Sequence, residues 1–150
     1  QPRSRRHIAV GEQAVRRGMV RAGDREAWRE RVIRWLDEGR YDVLVTPALA
    51  GPPPAAVGWA NRSWQANMVA CARFAPYAAP CNLAGLPAMV VPAGVRPDGL
   101  PASVQLVGRP GSELTLLGVA GQLEQVAPWR RHAPGWPRRR AGQRGATMQA

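Results

Sequence analysis

The chain has 150 residues, with 21 basic against 10 acidic side chains and an apolar share of 45%, a composition that suits one globular domain. Every basic residue other than the two His is Arg, so no Schiff base, Walker lysine or lysine general base can come from this polypeptide. The longest run without a charged or strongly polar side chain, Pro47 to Ala60, is 14 residues broken by prolines, short of the roughly 20 that span a bilayer.

The first segment, QPRSRRHIAVGEQ, has a basic start but no apolar run behind it, which excludes a signal peptide and makes a cytoplasmic location the expectation. Residues 1–21 hold six Arg and one Glu, residues 22–127 nine of each sign, and residues 128–150 six Arg and no acid. The excess charge therefore belongs to the ends. Arg3, Arg5 and Arg6, and then Arg138, Arg139, Arg140 and Arg144, lie in text with little apolar periodicity. They read as solvated, partly disordered ends and not as the helical or grooved face of a specific nucleic-acid binder.

The spacing predicts a helix over residues 24–38, DREAWRERVIRWLDE, with Trp28, Val32, Trp35 and Leu36 in one packing stripe. Asp24 is placed to cap it and Gly39 to be its C′ residue. YDVLVTP, residues 41–47, predicts a strand covered on both faces and ended by Pro47. A Pro-rich, chargeless loop follows. Residues 62–75 predict a helix with Trp64, Met68, Cys71 and Phe74 on one side. Ala88–Pro92 and Pro101–Val107 predict two buried strands, and the short link with Asp98-Gly99 makes them an antiparallel hairpin. Ser112 to Val126 predicts a last helix capped by Ser112, with Leu116, Val119, Ala120 and Leu123 inward, and Gly118 and Gly121 placed for close approach to a neighbour. Trp129 and Trp136 are anchors in the polar text that follows. Three strands with so few helices make an incomplete sheet, which belongs to a longer chain or docks onto a partner.

Titratable chemistry is sparse. His7 and His132 stand at opposite ends, and Cys71 and Cys81 are expected as free, largely buried thiols, so neither a metal site nor a cofactor is called for. Ser103 has no strained Gly-rich turn and no His or Lys partner, and Ser4, Ser63 and Ser112 fail on the same grounds. No catalytic residue is assigned.

Residues 79–108, APCNLAGLPAMVVPAGVRPDGLPASVQLVG, carry specific text. Asn82 through Gly85, Leu86 and Pro87 to Ala88, then Pro92-Ala93-Gly94, then Gly99-Leu100-Pro101 through Gln105 to Gly108, resemble the C-terminal part of the amidase signature family, serine hydrolases that cleave amides. YDVLVTPALAGPPP and the final helix with Glu113-Leu114 are similar to its flanks, so the resemblance covers roughly residues 24–137. Residues 1–23 are then a basic N-terminal segment and 138–150 a basic disordered tail. Gly85 and Gly99 permit left-handed turns, the Leu-Pro pairs fix extended entries with Leu86 and Leu100 packed on the sheet, and Gln105 belongs to a buried polar network. Ser103 stands where the family has Gly.

The resemblance implies an α/β fold, a partial mixed sheet with packed helices, and a loop walling an acyl pocket, with Cys81 and Asn82 as lining. It also implies a Ser-Ser-Lys relay on a Gly/Ser-rich region upstream of the matched part, and nothing here supplies it. The expected partners are that missing catalytic half and a small amide substrate, without specific nucleic acid or membrane. The alternative is a non-catalytic structural subunit or a degenerate remnant of an amidase.

Overall fold

The computed structural model describes residues 2–56 and 58–129. Along them run helix α1 (Pro2–Arg16), α2 (Asp24–Glu38), strand β1 (Leu44–Pro47), a 3-10 turn (Trp59–Asn61), α3 (Trp64–Phe74), α4 (Ala78–Ala84), β2 (Ala88–Val95), β3 (Pro101–Val107) and α5 (Glu113–Val126). The sheet order is β1-β3-β2, and β3 is antiparallel to both neighbours. The expectation of a mixed sheet is corrected: β1 and β2 run the same way, but the hairpin return of β3 lies between them, so every ladder is antiparallel.

Paired residues share a face of the sheet. Leu44, Val107 and Ala88 align across the strands, as do Thr46, Gln105 and Val90; the other face carries Val45, Leu106 and Met89, then Pro47, Val104 and Val91. α2 and α4 cover the first face, where Cys81, Ala84, Leu86 and Val107 are buried with Trp28, Val32, Ile33 and Leu44 packed around them. α5 covers the second, where Val91, Leu106, Leu116 and Ala120 form the core with Met89, Val119 and Trp129. Only β3 is covered on both sides, and Gln105, Leu106 and Val107 are buried in succession. The same expectation for β1 is corrected, since Val45 is 57% exposed; β2 likewise leaves Val90 exposed.

Hydrogen-bond phase fixes the edges. Ala48 N donates to Ser103 O at 3.1 Å, so the pairs two and four residues on, Thr46 with Gln105 and Leu44 with Val107, are the bonded type. The backbone groups of Val45 and Pro47 then point out of the sheet. Gly108 N donates to Pro87 O at 3.0 Å, and by the same alternation Ala88, Val90 and Pro92 face outward on β2. Both edge prolines thus stand where a missing N–H costs no ladder bond.

Several caps differ from the sequence reading. Asp24 does not cap α2; Gly23 holds the position in a left-handed conformation, and Asp24 Oδ2 accepts from Arg21 N at 2.7 Å. At the other end Arg40, with φ 52°, is the left-handed C′ residue in place of Gly39. Arg40 N donates to Asp37 O and Tyr41 N to Leu36 O, the paired bonds of a Schellman closure. Gly39 is required for another reason, because a Cβ there would run into the Tyr41 ring. Ser112 does not cap α5, since its hydroxyl donates to Arg109 O at 2.7 Å. Gly118 and Gly121 face open space and bring nothing close. Ser63, by contrast, caps α3 by accepting from Ala66 N.

Two helices escaped the sequence pattern. α1 replaces the expected irregular basic segment: none of its residues is buried, and it is held by the Arg3 guanidinium, which donates to the carbonyls of Trp59, Ala60 and Arg62, and by His7 edge-on to Trp64. α3 buries no residue, and Met68 and Cys71 on its expected inner stripe are exposed, which corrects the reading of Cys71 as a buried thiol. Trp136 and the expected disordered tail lie outside the described residues.

In the β2–β3 hairpin, Gly94 (φ 102°) relaxes an irregularity between Pro92 and Val95, and Gly99 (φ 80°) makes the turn. Asp98 accepts from Arg96 Nε and Leu100 N across that turn, and these bonds hold its carboxyl below the usual range. The pairing therefore supports the turn at neutral pH and is lost as pH falls through the lowered value. Leu100, expected on the sheet, is 38% exposed.

Candidate functional site

The most specific text of the sequence folds into α4 and the strand entry after it. Residues 78–84, expected as a turn, wind into two turns of helix, and Gly85 at φ 62° ends them. Gly85 N donates to Asn82 O at 3.1 Å and Leu86 N to Cys81 O at 3.2 Å, a Schellman motif whose apolar contact joins Leu86 to Cys81 in the core. Pro87 then leads directly into β2. The helix is tied to α2 by Trp28 Nε1, which donates to Pro80 O at 3.0 Å.

This closure aims Cys81 at the sheet. Gln105, 4% exposed on β3, extends its amide nitrogen into the same space, 3.3 Å from Thr46 Oγ1, 3.3 Å from Tyr77 O and 3.5 Å from Cys81 Sγ. Burial pushes the Cys81 thiol up from its ordinary pKa, and the bond from Gln105 offsets part of that rise. The thiol is thus a neutral, hydrogen-bonded group and not a thiolate nucleophile.

Beside this cluster lies an open groove of about 420 Å³ between α2, β1 and residues 76–81. Trp28, Val32 and Trp35 form its α2 wall, Leu44 and Thr46 the strand side, and Arg31 stands at its rim. Cys81 reaches the groove. Asn82 does not, being one residue further around α4 with its side chain exposed. The structure therefore separates the two residues expected to line one pocket. Thr46 and Tyr77 are the groups the sequence reading missed; the signal available for Thr46 was a lone polar residue in VLVTP set against the lone Gln of SVQLV.

The remaining motif residues are scaffold. Gly108 is buried because a Cβ there would collide with the Ser112 hydroxyl and touch Leu116 at 3.4 Å. Pro101 opens β3, and Pro92 sits on the outer edge of β2. Ser103 accepts a backbone bond from Ala48. Among the described residues no three His, Cys, Asp or Glu side chains come together as a metal site, and no helix is long and apolar enough to cross a membrane.

Comparison with known proteins accounts for this arrangement. The Amidase family model matches residues 3–117, from α1 into α5. The putative amidase AmiB2 of Mycobacterium tuberculosis is 43% identical over 93 residues, 62% of this chain and 20% of that protein. The fatty acid amide hydrolase of Medicago truncatula is 35% identical over 100 residues, 65% of this chain and 16% of that one. The solved structure of a 6-aminohexanoate cyclic dimer hydrolase superposes with a TM-score of 0.62 at 30% identity, covering 70% of this chain and 23% of its own. The chain thus spans about a fifth of the length of each of these proteins. It belongs to the amidase family.

Proposed function

We propose that this chain is the C-terminal part of an amidase-signature serine hydrolase, which cleaves a carboxylic amide with water to the acid and ammonia or an amine through an acyl-enzyme. The observation that carries the reading is the order of family-like text on one structural unit: β1, then the α4 closure, then the β2–β3 hairpin, then α5. The missing chemistry supports it as well, since the chain holds no Lys and no Gly/Ser-rich loop for a Ser-Ser-Lys relay. That relay comes from a catalytic part, either continuous with this segment or bound to it. In the intact enzyme this unit extends the sheet and supports the acyl side of the pocket. Asn82, with its amide exposed, belongs to that pocket wall, and Cys81, tied to Gln105, belongs to its support. The reaction takes place in the cytoplasm on a small amide and needs neither metal nor cofactor.

Native mass of the protein isolated from its source, with sequencing of every polypeptide in the particle, tests this. The expected result is a Ser-Ser-Lys region in a particle well above 16.3 kDa. A lone chain of that mass contradicts it and leaves a degenerate remnant. A particle that holds a partner but no such region makes this chain a structural component without catalysis.

A further inference from the structure

We propose that the free edge of β1, with the groove beside it, is the seat of an extended segment from the catalytic part of the amidase domain, which adds there as a fourth strand; this rests on the function proposed above. Val45 presents an unpaired N–H and C=O outward, and Pro47 one more carbonyl, a short template for backbone pairing. A strand set about 4.8 Å beyond β1 carries alternate side chains on the face of Leu44 and Thr46. That face opens into the groove, where Trp28, Val32, Trp35 and Leu44 offer an apolar lining. One added segment therefore satisfies the edge and fills the groove together.

The polar groups at the groove floor argue against a small amide as the occupant. The Gln105 amide nitrogen is already shared by Thr46, Tyr77 O and Cys81, all within this chain, so the floor has little left with which to recognise a substrate amide. What remains is shape and apolar surface, which suit Val, Leu or Ile side chains from a strand. The occupant is assigned to the catalytic part because the chain covers only 20% of the AmiB2 relative, so most of the family domain lies outside it.

Amide hydrogen exchange, resolved to single residues, tests the assignment on the native particle isolated from its source and on the 150-residue chain alone. In the particle Val45 is expected to exchange as slowly as Thr46, and about tenfold or more slower than in the isolated chain. Val45→Pro removes only the outward N–H, so it is expected to lower the unfolding temperature of the particle and leave that of the isolated chain unchanged. Trp35→p-benzoylphenylalanine is expected to cross-link to the polypeptide region carrying the Ser-Ser-Lys relay. Fast exchange at Val45 in a particle where Thr46 and Val107 are protected overturns the proposal. So does protection that arises in a dimer of this chain alone, which would give the edge to a second copy. Release of ammonia from butyramide by the same particle separates the two claims: hydrolysis with an unprotected Val45 sinks the edge assignment and spares the proposed function, while a protected Val45 without hydrolysis does the reverse.

Discussion

Gln105 is the residue on which the interior of the α2–α4 face depends. A buried amide between two strands is destabilising unless its donors are used, and here one nitrogen serves a hydroxyl, a carbonyl and a thiol from three segments. The Cys81 thiol is thereby fixed in its neutral form, while Cys71 stands exposed on α3. Iodoacetamide at pH 8 is expected to label Cys71 at least about tenfold faster than Cys81. Because the folded pKa of Cys81 is raised, its contribution to stability is complete below the unfolded value and declines as pH rises toward the folded one. Equal labelling rates in the folded protein would show that Cys81 is not held as described.

Among the elements, α5 and β3 meet at their tightest point where Gly108 passes under Ser112. Gly108→Ala is expected to cost about 1–3 kcal/mol by overpacking, and Ser112→Ala in the same chain to recover part of that loss. Urea unfolding of the single and double variants measures both, and additive losses would contradict the contact. α2, β3 and α5 were legible within a residue or so, because their apolar periodicity is the periodicity of what they bury. α4 was not, since Pro80 and the Gly85-Leu86-Pro87 text read as a turn. The turn is real at Gly85, but the seven residues before it are helical, and the apolar Leu86 after a C′ glycine was the available sign. α1 left no sign of that kind, because its apolar residues Ile8 and Val15 bury nothing and its anchor is one arginine on distant carbonyls. The groove was invisible for a similar reason: it depends on the β1–β3 register, which brings Thr46 beside Gln105 across 59 positions of sequence.

At the scale of the molecule, a three-stranded sheet with helices on both faces has two open edges and an apolar surplus outside. Leu114 on α5 is 82% exposed, with Leu117, Gly118 and Gly121 on the same outer face, and Val45 and Val90 stand out on the sheet. Continuous apolar strands misled the sequence reading at β1 and β2 because their second layer is not in this chain, which spans about a fifth of its AmiB2 relative. On the function proposed here, the chain contributes scaffold to an amidase and supplies none of its reacting groups. Ammonia release from butyramide decides that division of labour, measured side by side for the purified 150-residue chain and for the native particle containing a Ser-Ser-Lys region. No release above buffer is expected from the chain, and sustained release from the particle, abolished when the relay lysine is replaced. Turnover by the chain alone, or none by the particle, would overturn it.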